Sequence, residues 1–158
     1  MKAEPRRGSA EQIWQVRTLL DGESTLVLSV TDAAGAVHSA PLFYVTGEGP
    51  DQPLDLLWLS SPESLHSKCL QANQRASVAV FRPTFEWRQI AGVQMRGLCS
   101  VVEGEERAAA LNRYRARFHL GQLLGLAIRQ STLYRFHPQW VRLTDNQQHF
   151  GWKAEFLL

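Results

Sequence analysis

At 158 residues the chain is long enough for one domain with a sizeable core. Its net charge of +2 is too small to argue for a nucleic-acid partner, and its 44% hydrophobic share is ordinary for a globular protein. No apolar run approaches the roughly 20 residues that span a bilayer, so no membrane segment is expected. Cys69 and Cys99 stand far apart with no CxxC, which predicts two reduced thiols and a cytoplasmic setting. The basic start lacks an apolar segment behind it. Residues 1–8 therefore read as a loose leader rather than a signal peptide, on a single domain over 1–158.

In chain order, Ser9-Ala-Glu-Gln12 has the spacing of a capping box, and Ile13, Val16 and Leu20 give a helical apolar face that stops at Asp21-Gly22. Ser24–Thr31 is rich in β-formers. Asp32-Ala-Ala-Gly35 is a turn, and Ala36–Val45 is the returning strand of a hairpin. Thr46–Pro53, with two glycines and two prolines, reads as an exposed loop. Leu54–Leu59 is a short buried strand, and a helix follows until Asn73. Ala76–Phe81 is a strand broken by Arg82-Pro83-Thr84, and Gln89–Val102 is a long apolar segment containing Gly92 and Gly97. Glu105–Phe118 is a helix with acids first and arginines last, and Gln122–Arg129 adds a short one. Thr132–His137 and Trp140–Thr144 are strands hinged at Pro138, before an aromatic tail. At least six strands in hairpin-length connections predict a mainly β protein, an antiparallel barrel with added helices. No GxGxxG or GxxxxGK[ST] is present, so a Rossmann or P-loop nucleotide site is not expected.

The stretch from Leu54 to Leu70 carries the most chemistry. An apolar strand runs into Ser60, Ser61 and Pro62; Ser61 suits a helix cap and Pro62 the first helical position. Ser64, His66 and Lys68 follow within two turns. Free N–H groups, hydroxyls and cations at a helix start attract phosphate. Residues two apart do not share a helix face, so one of His66 and Lys68 should dominate, and the pH-independent charge of Lys68 favours it.

The order His38-Ser-Ala-Pro-Leu-Phe-Tyr44, Leu-Trp-Leu-Ser-Ser61, Ser64-Leu-His66-Ser-Lys68, Asn73-Gln-Arg-Ala-Ser-Val-Ala-Val80 and Gly92-Val-Gln-Met-Arg-Gly97 resembles the pyridoxamine-5′-phosphate-oxidase-like family of FMN-binding split barrels. Tyr114–Phe118, Leu143–Asn146 and Phe150–Lys153 are similar to an uncharacterised bacterial branch of it. The resemblance implies a six-stranded antiparallel split barrel. It also implies a homodimer with two FMN molecules at its interface, and a phosphate held near the helix after the third strand. On that reading the FMN-binding residues are His38, Ser39, Ala40, Ser60, Ser61, His66, Lys68, Arg88 and Gln94. Where family oxidases carry an Arg-Lys pair, this sequence has Leu65 and His66. The basic residues that grip pyridoxamine phosphate near the C-terminus have no clear match, so pyridoxamine oxidation is not the expected activity.

Gln94 between two glycines either faces a flavin edge or bonds across the barrel. Trp58 is expected in the core. His119, His137 and His149 are scattered without a carboxylate or Cys at ligand spacing, which argues against zinc, and no GxSxG supports a serine hydrolase. Three readings stay open: an FMN-dependent oxidoreductase, a barrel that holds haem or another planar ligand without turnover, and a ligand-free dimeric scaffold. No obligatory acid or base stands out, and a flavin can carry the redox chemistry itself.

Overall fold

The computed structural model describes residues 6–49, 53–119 and 125–158. Helix α1 (Ala10–Gly22) opens on the expected capping box: the Gln12 N–H donates to Ser9 Oγ at 3.2 Å, and the Ser9 N–H to Gln12 Oε1 at 2.9 Å. Val16, Leu19 and Leu20 bury one face of it while Trp14 stays exposed. Strands β1 (Thr25–Thr31) and β2 (Val37–Phe43) form the expected hairpin. The returning strand is interrupted at Tyr44, whose buried hydroxyl donates to Leu20 O at 2.5 Å. Beyond it, β3 (Val45–Thr46) pairs with a different strand, β4 (Leu56–Ser60). Thr46, expected in an exposed loop, is buried and donates to Asp21 Oδ1 at 2.8 Å.

Helix α2 (Leu65–Ala72) leads to β5 (Arg75–Phe81) and β6 (Ala91–Val101). Helix α3 (Gly104–Phe118) follows. The short helix expected from Gln122 is α4 (Gly125–Gln130) within the described residues. Residues Thr132–Asp145 form one strand, β7, rather than two. Register shows why: Arg96 pairs with Trp140 but Gly97 with Pro138, so Gln139 is an extra residue and the kink is absorbed as a bulge. The aromatic tail adds a strand, β8 (Lys153–Leu157), with Phe156 in the core. Residues 6–8 are not loose: Gly8 N–H donates to Leu157 O and Leu157 N–H to Arg6 O, both at 2.9 Å.

The strand order is β2-β1-β5-β6-β7-β4-β3, with β8 on the second half of β7, and every ladder is antiparallel. Strands β2 and β3 are at opposite ends of that order, yet Tyr44 alone separates them in the chain. The sheet must therefore curl until its ends meet, joined by chain rather than by a ladder. This is the mainly β split barrel expected, with β3 and β8 beyond the six strands foreseen.

Leu26, Leu28, Leu56, Trp58, Val78, Val80, Met95 and Phe136 fill the interior, closed by α1 and by Cys69 and Leu70 of α2. Both cysteines are free and buried, and burial pushes the Cys99 thiol up to about 12. A smaller cluster on the outer face, Val45, Leu57 and Leu133 against Ala110 and Tyr114, seats α3. Among the described residues no helix is long and apolar enough to cross a membrane.

Candidate functional site

Strand β4 ends at Ser60 opposite Thr132, and the chain then turns: Ser64 N–H donates to Ser61 O at 3.1 Å. The helix begins at Leu65, not at Pro62, and Ser64 caps it by accepting from Ser67 N–H at 3.3 Å. The Ser61 hydroxyl is used inside the turn, where it accepts from Glu63 N–H at 3.2 Å. A hydroxyl satisfied two residues away has no call on the helix, so the next serine takes the cap.

The shift gathers two hydroxyls on one imidazole, with a third bonded to the second of them. His66 Nε2 lies 2.5 Å from Ser60 Oγ and 3.1 Å from Ser64 Oγ, and Ser64 Oγ donates to Ser67 Oγ at 2.8 Å. Ser60 and His66 are buried. His38, on β2, stacks parallel to His66 with ring centroids 6.3 Å apart. Burial, and then the charge of His38, hold the His66 pKa below the usual imidazole value. The sequence brought Ser60, His66 and His38 forward as candidates, and the fold unites them. It named Ser64 beside them in the same stretch and did not single out Ser67.

Other candidates lie elsewhere. Along β2, His38 and Ala40 are half-buried while Ser39 is exposed, bonded to Ser29 Oγ at 2.9 Å. Lys68 is more than half exposed and pairs with Glu63 at 3.1 Å. Arg88 sits in the loop between β5 and β6, its guanidinium 4.6 Å from the Trp87 ring centroid. That loop is tied to the far end of β7, where Asn146 Nδ2 donates to Trp87 O at 2.8 Å. Gln94 is not a buried amide: it is exposed and accepts from Arg142 at 3.4 Å. The alternation of β6 turns Val93 and Met95 inward and Gln94 outward. Ser60 is opposite the start of β7 and Gln94 opposite Arg142, so the two stand far apart along the strand within one chain.

A second polar cluster was missed by the sequence. Asp55, 1% exposed, holds His137 Nδ1 at 2.8 Å through Oδ1. Its Oδ2 is 3.3 Å from Arg135 Nε, and Arg135 pairs in turn with Glu106 of α3. Burial is the largest influence on Asp55 and pushes its pKa above the usual aspartate value, against His137 and Arg135, which lower it. A carboxylate inside Leu54-Asp55-Leu56 was a signal that it needs a partner. No cluster of three or more His, Cys, Asp or Glu suited to a metal occurs among the described residues.

Residues 14–145 match the pyridoxamine 5′-phosphate oxidase family. A UPF0306 protein of Yersinia pestis is 27% identical over 117 residues, 74% of each chain. A haem-binding protein from Mycobacterium smegmatis superposes with a TM-score of 0.74 at 21% identity; this chain is covered to 96% and spans 59% of that one. An FAD-binding protein from Mesorhizobium loti superposes with a TM-score of 0.61 at 19% identity, over 86% of this chain and 94% of that one. A match over most of the length, on a barrel that puts a hydroxyl-lined helix start after the strand ending at Ser60, places this chain in the pyridoxamine 5′-phosphate oxidase family.

Proposed function

We propose that the chain is an FMN-binding flavoprotein, a flavin-dependent oxidoreductase of this family distinct from a pyridoxamine phosphate oxidase, and a homodimer. The observation that carries the reading is the cluster of Ser60, Ser64, Ser67 and His66 at the start of α2, beside His38. Its donors fit a phosphate: three hydroxyls, an imidazole, and the leading N–H groups of an eight-residue helix at the positive end of its dipole. It offers hydrogen bonds more than charge, and the phosphate must compete with His66 for the Ser60 and Ser64 hydroxyls. FMN, when bound, supplies the redox chemistry; the chain's own residues orient it and keep water away.

The homodimer draws support from the placement of the remaining candidates. Arg88 and Gln94 are far along the barrel from Ser60, so a flavin in contact with both groups needs them from a second subunit. The exposed Phe81, Phe85, Trp87, Ile90 and Phe150 at that far end form apolar surface of the kind that partners cover. Sedimentation should show a dimer at micromolar concentration, and a monomer there would remove this part of the proposal.

Titration of the purified protein with FMN and with riboflavin, which lacks the phosphate, tests the site. His66→Gln should weaken FMN about ten- to a hundredfold, the worth of a charge-assisted hydrogen bond of about 1.5–3 kcal/mol, and riboflavin far less. Lys68→Ala should cost less than about fivefold, because an exposed pair such as Lys68–Glu63 is worth about 1 kcal/mol or less. FMN affinity should fall as pH rises through the His66 titration, since the protonated ring favours the phosphate. A protein unmoved by added FMN would end this reading. A haem reading has the support of the Mycobacterium smegmatis neighbour, and a Soret band in the isolated protein would favour it.

A further inference from the structure

The outer face of the sheet carries a concave stretch with no part in the cluster above. Alternation turns Leu28 and Val30 of β1, Val78 and Val80 of β5, and Met95 and Cys99 of β6 into the core. Ser29, Arg75, Ser77, Arg96 and Leu98 therefore face outward. Register sets Ser39, Ser29, Ser77 and Arg96 in one row across β2, β1, β5 and β6. Arg75 is opposite Leu98 and two residues before Ser77, so it lies diagonal to Arg96. Diagonal neighbours are about 7–8 Å apart, within reach of long side chains. The two arginines, with Ser29, Ser77, Val37 and Leu98 among others, line a groove of about 680 Å³.

Two cations side by side on paired strands repel unless an anion lies between them. Among the described residues neither has a carboxylate partner: the ion pairs of β5 and β7 engage Arg82, Arg135 and Arg142. Asp32, in the hairpin turn, spends its Oδ1 on the N–H groups of Ala34 and Ala36, both at 2.9 Å. Arg96 rests over the Trp140 ring, 4.2 Å from its centroid, which occupies the face of the guanidinium and leaves its N–H edge open. The Ser29 and Ser39 hydroxyls are bonded to each other at 2.9 Å. Beyond the two guanidinium groups the surface of the groove is mostly carbon.

A concavity of this volume falls in the range of small-molecule sites, about 300–1,000 Å³. Two forks of two N–H groups match the four lone-pair sites of one carboxylate. A phosphate would need donors around a third oxygen, and the backbone N–H groups of β5 are spent in its ladders to β1 and β6. From the arginines to Val37 on β2 the groove crosses β1, two strand spacings or about 10 Å. We propose that this groove is a second site, separate from the Ser60–His66 cluster, that binds an amphipathic carboxylate of medium chain length. The carboxylate lies on Arg75 and Arg96, and the chain crosses β1 to Val37. The site stands independently of the flavin reading.

Calorimetric titration with octanoate, and with acetate and 1-octanol as the head and the chain alone, tests it. Octanoate should bind at least about tenfold more tightly than either control, since only it uses both halves of the groove. Arg75→Gln and Arg96→Gln should each weaken octanoate about ten- to a hundredfold and leave octanol unchanged. Val37→Ser should weaken octanoate several-fold and leave acetate unchanged. FMN affinity should be the same in all three variants as in the wild type, and octanoate should still bind with FMN in excess. The proposal is overturned if octanoate binds no better than acetate or octanol, or if either arginine substitution leaves its affinity unchanged. It is likewise overturned if FMN displaces octanoate, or if the arginine variants lose FMN and octanoate equally. Thermal melting is the fold control. Should a glutamine variant fail to fold, Arg75→Lys or Arg96→Lys keeps the charge, removes the fork and should still weaken octanoate several-fold.

Discussion

Gly97→Ala is expected to destabilise the barrel by about 3 kcal/mol, at the upper end of what overpacking a core does. A Cβ on Gly97 would fall 2.0 Å from His137 O and 2.8 Å from Pro138 Cα. Both are backbone atoms of the adjacent strand, so no side chain can swing aside. The strands would have to part at the β6–β7 bulge, the longest ladder of the sheet. The need for glycine here is one of close approach, since the backbone of Gly97 is not left-handed. In a chain of this length, 3 kcal/mol lowers the melting temperature by about 6–12 °C. Gly22→Ala is the control: nothing lies within 4 Å of its Cβ, and stability should hold or rise by up to about 1 kcal/mol. A Gly97→Ala protein that melts within about 2 °C of the wild type would show that the bulge relaxes freely.

The same bulge marks the boundary of what the sequence made legible. Local patterns were read correctly where local physics governs: the capping box at Ser9, the hairpin turn at Gly35, the alternating β1 and β5, and the acid-to-base run of α3. Pro138 was readable as a break, but not as a bulge within one strand, because only the β6 register decides that. Strand β8 was passed over since five residues after an aromatic turn carry little periodic signal; its identity comes from pairing with β7. At the site, Ser60 and His66 are six residues apart and hinge on one turn, so the sequence sufficed. Asp55 and His137 are 82 residues apart. Nothing local links them, and His137 therefore read as a scattered histidine. Of the two readings of Gln94, the bond across the barrel fails, because the inward Val93 and Met95 on either side assign Gln94 to the outer face.

Asp55→Ala is expected to cost about 3–5 kcal/mol, the range for removing one partner of a buried charge network. The truncated site would leave Arg135 facing Glu106 without its second carboxylate, and His137 Nδ1 without an acceptor. Glu106→Gln should cost no more than about 1 kcal/mol, because that carboxylate is near the surface. Asp55→Asn keeps the shape and removes the charge, and its comparison with the wild type across pH isolates the titration. Burial raises the Asp55 pKa above its unfolded value, so the folded state holds the proton more tightly. Stability from this group is then fully present below the ordinary aspartate pKa of about 3.9 and is lost as pH rises through the raised folded value. The wild type should therefore gain on Asp55→Asn as the solution is acidified through that window, in urea unfolding at constant ionic strength. A difference that stays flat, or runs the other way, would mean that His137 and Arg135 outweigh burial at Asp55. The carboxylate would then be a stabilising ion pair at neutral pH rather than a strained one.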